Sequence, residues 1–117
     1  MCRVLLVDDH HRYRTVVREL LRASCWKVVG EAWDGCSALA EAQRLSPDVV
    51  VLDIGLPDRD GFVVARELAA LASPPRVVLV SSTDPADLAV ALRASGMPFV
   101  PKERISSQTL AAAVECD

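Results

Sequence analysis

The sequence lacks an excess of basic residues, a long apolar run and a polybasic patch, and each absence excludes a class of function. Its 13 Lys and Arg residues stand against 16 Asp and Glu residues, which gives a net charge of -3. Because binding to a nucleic-acid backbone needs a basic face, this balance argues against direct contact with nucleic acid. No run approaches the roughly 20 apolar residues that span a bilayer. We therefore expect a cytoplasmic protein without membrane contact.

The cysteines also lack a recognisable pattern. Four are present, with no CxxC spacing and no histidine at zinc-finger distance: Cys2, Cys25, Cys36 and Cys116. We expect reduced, mostly buried thiols rather than a disulfide pair. The chain has 117 residues, of which 51% are hydrophobic. This length fits one domain, residues 1–117, with a core that needs no metal or disulfide to hold it.

Short apolar runs alternate with helical patterns along the whole chain. The predicted strands are residues 3–7, 27–31, 48–53, 76–81 and 97–101. Three of these runs are nearly continuous Val and Leu, which is typical of strands buried on both faces of a parallel sheet. Strand–helix alternation predicts an α/β fold with right-handed crossovers. Five units indicate a doubly wound five-stranded sheet in the order 2-1-3-4-5, with helices on both faces.

Helical periodicity fills the segments between these runs. The first helix has the clearest pattern, with apolar residues at positions 13, 16, 17, 20 and 21 and charged residues, Arg14 among them, on the opposite face. The fourth helix is predicted to begin at Asp84-Pro85, a capping residue followed by a first-turn proline. Pro98 and Pro101 in the fifth run indicate an edge strand, where a missing N–H is tolerated.

Five polar residues fall at the carboxyl ends of the predicted strands. Asp8 and Asp9 end the first strand, Asp53 ends the third, Ser81 ends the fourth and Lys102 follows the fifth. In such a sheet these ends share one edge, and ligands bind near the point where the strand order reverses. Strands one and three are neighbours at that point. The three carboxylates are therefore predicted to converge.

Carboxylates at such distances repel each other strongly. Two unit charges ~4 Å apart cost roughly 4 kcal/mol at an effective dielectric constant near 20. A divalent cation would relieve this repulsion, and an all-oxygen carboxylate site suits Mg²⁺. Lys102 adds a second positive charge and Ser81 a hydroxyl donor. Together these groups are the parts of a phosphoryl-transfer site with a nucleophilic carboxylate.

Taken singly, each residue also has a plainer interpretation. An aspartate after a strand is often a helix N-cap, Ser81 could be a turn hydroxyl, and Lys102 could be a solvated lysine. His10 and His11 beside the acids are interpreted as a solvated first helical turn, because Mg²⁺ prefers oxygen. Only the joint placement of the five residues on one edge favours the site.

Several segments of the chain resemble the CheY-like receiver family of two-component signalling. They are VLLVDDH at 4–10, DVVVLD at 48–53, Leu56-Pro57 with Asp60-Gly61, Ser81-Ser82, and FVPK at 99–102. The resemblance covers essentially the whole chain. The DDH motif and the VVGEA run at 28–32 are most similar to the NarL/FixJ branch, whose members usually carry a DNA-binding helix-turn-helix after the receiver.

The resemblance implies a role for each matching residue. Asp53 would be the phosphoacceptor, with Mg²⁺ held by Asp8, Asp9, Asp53 and the backbone carbonyl of Gly55. Lys102 would pair with the phosphoryl group. Ser81 would close on that group, and Phe99 would swing inward. Phe99 stands where the family often has Tyr, and Glu103 rather than proline follows Lys102.

The same resemblance implies the partners. The phosphoryl donor would be a histidine kinase, the altered surface would be helix four, strand five and helix five, and a homodimer could follow phosphorylation. The domain would catalyse only its own phosphorylation and dephosphorylation. Transcription through an output domain outside this chain is the expected result. A free-standing receiver that signals by protein contact remains the alternative.

Two rival functions fit the sequence poorly. A phosphatase of the haloacid-dehalogenase type needs a second Asp two residues after its nucleophile, and Gly55 stands there. A flavodoxin-type cofactor binder would want a phosphate loop rich in Ser, Thr and Gly after the first strand. Asp8 and Asp9 occupy that position and would repel a phosphate.

Overall fold

A parallel sheet of five strands forms the centre of the molecule. The computed structural model describes residues 2–114. The strands are β1 (Cys2–Val7), β2 (Trp26–Ala32), β3 (Val49–Asp53), β4 (Arg76–Ser81) and β5 (Phe99–Pro101). Their order is 2-1-3-4-5, as predicted, and every neighbouring pair is parallel. β5 pairs with β4 alone, which confirms the edge position inferred from its prolines.

Five α-helices connect the strands and cover both faces of the sheet. They are α1 (His11–Leu21), α2 (Gly35–Leu45), α3 (Gly61–Ala69), α4 (Pro85–Ser95) and α5 (Ser107–Ala113), with a 3-10 turn at Lys102–Arg104. One core cluster joins the sheet to α1 and α5, and the other joins it to α2 and α3. All five residues of β3 are buried, as its continuous apolar run predicted. None of the helices in the described part of the chain is long and apolar enough to cross a bilayer.

The helix starts follow from local hydrogen bonding. Asp84 caps α4 by accepting a hydrogen bond from the Ala86 N–H, and Pro85 occupies the first turn, as predicted. The predicted apolar face of α1 is only partly confirmed. Val17 and Leu21 are buried, but Val16 is 47% exposed and Leu20 is 50% exposed. The predicted apolar face of α1 is therefore wider than the part of the helix surface that packs against the sheet.

The expectation of reduced and mostly buried cysteines is wrong. Cys2 is buried and disulfide-bonded. Cys25 and Cys36 are free thiols, and both are exposed. Cys25 lies directly before β2, and Cys36 lies in the first turn of α2. Cys116 lies outside the described residues. Disulfide partners are close in space but need not be close in sequence, so the spacing of the cysteines did not indicate this bond.

Strand register brings the predicted site residues to one edge. Val7 pairs with Leu52, so the next residues, Asp8 and Asp53, leave adjacent strands at the same level. Ser81 pairs with Pro101 at the other side of β4, and Lys102 follows at once. The sheet therefore presents all of these groups at its carboxyl edge.

Candidate metal and phosphoryl-transfer site

Three acidic side chains meet at the carboxyl ends of β1 and β3. Asp8 is 2% exposed and Asp53 is 4% exposed, whereas the side chain of Asp9 is 34% exposed. These residues and His10 each offer one ligand atom, and the atoms lie within 4.8 Å of one another. The predicted convergence of carboxylates is therefore present, with two acids buried and one facing solvent.

Lys102 enters this cluster from the end of β5. Its Nζ lies 2.5 Å from Asp8 Oδ2 and 3.2 Å from Asp53 Oδ2, and the side chain is 12% exposed. The ring of Tyr13 on α1 lies below the ammonium group, with its centroid 4.7 Å from Nζ. A solvated loop lysine would have none of these contacts. The plainer interpretation of Lys102 is therefore excluded.

The buried position alters the ionisation of these groups. Burial raises the pKa of Asp53, as does the charge of Asp8, while the Gly55 N–H and Lys102 partly offset the rise. Burial by itself would lower the pKa of Lys102, but the carboxylates of Asp8 and Asp53 outweigh it and raise that pKa. Lys102 therefore remains charged and holds the two carboxylates close together.

The two oxygens of Asp53 have different neighbours. Oδ2 accepts a hydrogen bond from Lys102 Nζ, and Oδ1 accepts the Gly55 N–H at 3.0 Å. Gly55 is exposed, and a methyl group added there would meet Asp53 Oδ1 only at 3.8 Å. The approach to the Asp53 carboxylate is therefore open on the side of this loop.

Ser81 is the last residue of β4, whereas Phe99 is the first residue of β5 and pairs with Leu79. Ser81 is buried, and its hydroxyl oxygen accepts the Thr83 N–H at 3.0 Å, which leaves its own proton available for donation. Phe99 is half-buried and packs against the core cluster shared with α2 and α3. Ser81 directly precedes the loop into α4, whereas Phe99 lies two residues before Pro101, the residue that pairs with Ser81.

His10 lies closer to the acids than sequence reasoning anticipated. Its Nδ1 is 3.1 Å from Asp8 Oδ1 and 3.1 Å from Asp9 Oδ1. The side chain is 68% exposed, so the expected solvation is correct, but the residue precedes α1 and faces the cluster. His11, the first residue of α1, is exposed and near Arg14. The sequence feature that pointed to His10 was its position directly after Asp8 and Asp9.

Arg14 was placed on the solvent face of α1, and this was wrong. Its side chain is 12% exposed and donates to Glu31 Oε1 on β2 at 2.9 Å. The same guanidinium donates to the backbone carbonyl of Asp8. Burial favours the neutral form of Glu31, but hydrogen bonds from Arg18 and Arg14 outweigh this and lower its pKa. Arg14 thus ties the acid-bearing loop to both α1 and β2.

The donor set fits the magnesium ion that the resemblance implies. Three carboxylates supply the oxygen ligands that Mg²⁺ requires. In addition, Asp8 Oδ2 is buried and accepts no hydrogen bond of regular geometry. Leaving such an oxygen unsatisfied costs about 1–3 kcal/mol or more when it is charged, so the group calls for positive charge nearby. Lys102 supplies part of that charge, and a divalent ion would supply the rest.

Comparison with known proteins gives a consistent family. The sequence model of the response regulator receiver domain matches residues 4–115. A putative transcriptional regulator of Pseudomonas aeruginosa is 40% identical over 114 residues, which cover 97% of this chain and 55% of that protein. A protein-glutamate methylesterase/protein-glutamine glutaminase of Myxococcus xanthus is 48% identical over 103 residues, covering 86% of this chain and 30% of that protein.

A solved structure agrees with the sequence matches. The signal receiver domain of the putative response regulator NarL from Mycobacterium tuberculosis superposes with a TM-score of 0.82 at 36% identity, over 98% of this chain and 94% of that one. The chain spans about half the length of the curated transcriptional relatives that it matches. Since fold, site and relatives agree, the chain belongs to the receiver domains of two-component response regulators and is similar to those of the NarL type.

Proposed function

We propose that Asp53 accepts a phosphoryl group from the phosphohistidine of a partner kinase. The observation that supports this most strongly is the pairing of Lys102 Nζ with both buried carboxylates, at 2.5 Å from Asp8 Oδ2 and 3.2 Å from Asp53 Oδ2. An ammonium group held at this point lies beside any phosphoryl group on Asp53. Membership of the receiver family makes a histidine kinase the natural donor, and we propose the cytoplasm as the place of transfer.

The proposed transfer is a displacement at phosphorus. An oxygen of the Asp53 carboxylate forms the new O–P bond while the P–N bond to the kinase histidine breaks, and the electron pair of that bond stays on the imidazole. Lys102 neutralises charge on the phosphoryl oxygens, and Ser81 donates a hydrogen bond to one of them. No other residue needs to exchange a proton, because the nucleophile is already a carboxylate.

The proposed ligands of Mg²⁺ are Asp8, Asp9, Asp53 and the backbone carbonyl of Gly55. When bound, the ion supplies charge stabilisation for the phosphoryl oxygens. Asp9 is the most accessible of the three acids and Asp8 the most buried, so they can hold an ion from two sides. The bound ion would also offset the repulsion among the three neighbouring acids.

Signal output is proposed to run through the loop after β4. Ser81 turning toward a phosphoryl group would give up the Thr83 N–H that it now accepts, and the loop into α4 would follow. Phe99, which is half-buried at the start of β5, would move further inward. The surface that changes is α4, β5 and α5, which carries the exposed Val90. Homodimerisation on this surface is one proposed result.

We infer that transcription is the controlled process, through a DNA-binding domain outside the present chain. The support comes from the transcriptional relatives, of which the matching region is 54–55% of the length. A free-standing receiver remains the alternative, and the methylesterase relative shows that receivers of similar sequence occur beside a different kind of domain. Sequencing the parent gene beyond codon 117 separates these outcomes, since only the first predicts a helix-turn-helix.

Incubation with acetyl phosphate tests the phosphorylation itself. We expect intact-mass measurement to find one phosphoryl adduct on the wild type in the presence of Mg²⁺, and the adduct should be lost in acid. Asp53→Asn should form none, whereas Asp87→Asn, an exposed acid on α4, should behave like the wild type. An adduct on the Asp53→Asn variant, or one formed equally without metal, would refute the proposal.

A further inference from the structure

His10 stands outside the proposed ligand set, yet its ring faces the same acids. We propose, building on the metal site of the proposed function, that His10 Nδ1 is a further ligand of the divalent ion and gives the site a preference for Mn²⁺ over Mg²⁺. The ring lies 3.1 Å from one oxygen of Asp8 and 3.1 Å from one oxygen of Asp9. Because the side chain is 68% exposed, burial does not force it into this position.

Two of the donor distances are compatible with neighbouring ligands of one divalent ion. Bonds of about 2.1 Å at right angles place neighbouring ligand atoms about 3.0 Å apart. The two nitrogen–oxygen distances of 3.1 Å are close to this value. All four donor atoms, including that of Asp53, lie within 4.8 Å of one another, which one ion can bridge with small side-chain movements. The imidazole nitrogen therefore lies within reach of an ion held by Asp8 and Asp9.

The two oxygens of Asp8 face different groups. Oδ2 faces Lys102, where it is buried and accepts no hydrogen bond of regular geometry. Oδ1 faces His10 and accepts the backbone N–H of that residue at 2.8 Å. Lys102 and the ring of His10 thus lie on opposite sides of one carboxylate. An ion bound at Oδ1 would leave the Lys102 pair intact.

The loop that carries His10 is held in place. Arg14 donates to the backbone carbonyl of Asp8 and to Glu31, and its side chain is 12% exposed. Groups that orient metal ligands in this way sharpen affinity, and their loss typically costs ten- to a hundredfold. The imidazole is therefore presented to the acids by a supported loop rather than by a free chain end.

The chemistry of the ligands determines which ion binds more tightly. Carboxylates alone suit Mg²⁺ and Mn²⁺, while imidazole favours first-row transition ions over Mg²⁺. Adding one nitrogen to three carboxylates should thus strengthen Mn²⁺ binding and leave Mg²⁺ binding nearly unchanged. Mn²⁺ is also the cleanest probe, because the exposed thiols of Cys25 and Cys36 would compete for softer ions.

The test combines pulsed electron paramagnetic resonance with titration of Mn²⁺ and Mg²⁺. His10→Ala removes the imidazole without loss of a helix cap, since the His10 side chain makes no capping bond. His11→Ala is the matched control. We expect a nitrogen coupling to Mn²⁺ in the wild type and in His11→Ala, absent in His10→Ala. The ratio of Mg²⁺ to Mn²⁺ dissociation constants should fall about tenfold in His10→Ala alone.

Failure of this inference is separable from failure of the proposed function. Mn²⁺ that binds without nitrogen coupling, in a protein that acetyl phosphate still labels on Asp53, would overturn the role of His10 and leave the phosphoacceptor untouched. A coupling that persists in His10→Ala but disappears in His11→Ala would also overturn it. Absence of any divalent-ion binding would overturn both proposals together.

Discussion

At the residue scale, the site is organised by one ammonium group between two buried acids. Lys102 reaches Asp8 and Asp53 from the end of β5, and the ring of Tyr13 lies 4.7 Å from its Nζ. Removing one partner of a buried ion pair leaves the other charge without compensation, which is a large loss of stability. In this site, a divalent ion offers a second source of the missing charge.

Substitution of Lys102 should therefore have an effect that depends on metal. Lys102→Met is expected to lower the free energy of unfolding by about 3 kcal/mol without Mg²⁺. Saturating Mg²⁺ should stabilise this variant more than the wild type, because the ion takes over part of the neutralisation. Urea denaturation with and without Mg²⁺ measures both effects, with Lys27→Met, an exposed lysine on β2, as control. Equal stabilisation of the wild type and of Lys102→Met by Mg²⁺ would contradict the idea that the ion and Lys102 both neutralise these acids.

Sequence reasoning found the residues whose positions follow from strand ends. Asp8, Asp53, Ser81 and Lys102 each come at or just after the carboxyl end of an apolar run, and parallel topology then determines that they meet. His10 gave no comparable signal, because an exposed histidine beside acids looks the same whether its ring turns toward them or away. That choice depends on backbone direction at the start of α1, which periodicity does not encode.

At the scale of elements, Glu31 joins α1 to the edge strand β2. Arg14 and Arg18 on successive turns of α1 both donate to its carboxylate. The helical pattern placed the charged residues of α1, Arg14 among them, opposite its apolar face. Such a pattern separates polar from apolar residues but does not show which strand lies beside the polar face. The tie also explains how α1 stays in place although Val16 and Leu20 remain largely exposed.

The ion pairs of Glu31 with Arg14 and Arg18 predict that the free energy of unfolding depends on pH. Because the two arginines lower the pKa of Glu31 in the folded state, its contribution is fully present above the ordinary glutamate pKa and is lost as the pH falls through the lowered value. Glu31→Gln should cost about 1 kcal/mol at neutral pH, the upper end for a partly exposed ion pair, and little in acid. Urea titrations across acid and neutral pH measure this difference.

The control for that experiment is Glu41→Gln. Glu41 is as exposed as Glu31, but it pairs within α2 with a single arginine, Arg44, that is 65% exposed, whereas Arg14 is 12% exposed. The Glu41 pair should therefore contribute little to the free energy of unfolding. An equal loss in the two variants, or a loss in Glu31→Gln that persists in acid, would show that Glu31 does not act through its charge.

The start of α3 shows how closely one helix approaches the site. A methyl group added to Gly61 would meet Ile54 Cα at 2.5 Å, Ile54 O at 2.7 Å and Asp53 O at 2.8 Å. These are backbone atoms that cannot rotate away. Gly61→Ala should therefore lower the free energy of unfolding by about 2 kcal/mol and weaken Asp53 phosphorylation, because β3 must shift.

Gly55→Ala is the matched substitution in the same loop. Its added methyl group would meet Asp53 Oδ1 at an ordinary contact distance, so we expect wild-type stability. Thermal or urea unfolding, followed by labelling with acetyl phosphate, separates the two variants. Equal stability of Gly61→Ala and Gly55→Ala would contradict the close packing of α3 on the Asp53–Ile54 backbone.

At the scale of the whole molecule, topology was more predictable than packing detail. Three nearly continuous apolar runs, Val49–Asp53 among them, indicated strands buried on both faces. Five strand-like runs separated by helical patterns leave few arrangements, and the 2-1-3-4-5 order was confirmed. The burial and bonding of individual side chains were less predictable. No residue of α4 is buried, although Leu92 packs against the core, and Cys2 is disulfide-bonded. Both features depend on neighbours far away in sequence.

The most direct measurement asks where the phosphoryl group sits. Labelling with acetyl phosphate and Mg²⁺, followed by borodeuteride reduction, converts a phosphorylated aspartate to deuterated homoserine, which peptide mass spectrometry can locate. The account predicts the label at Asp53, with Asp8 and Asp9 unmodified. A label at either of those acids, or none at Asp53 in protein that has taken up phosphate, would contradict it.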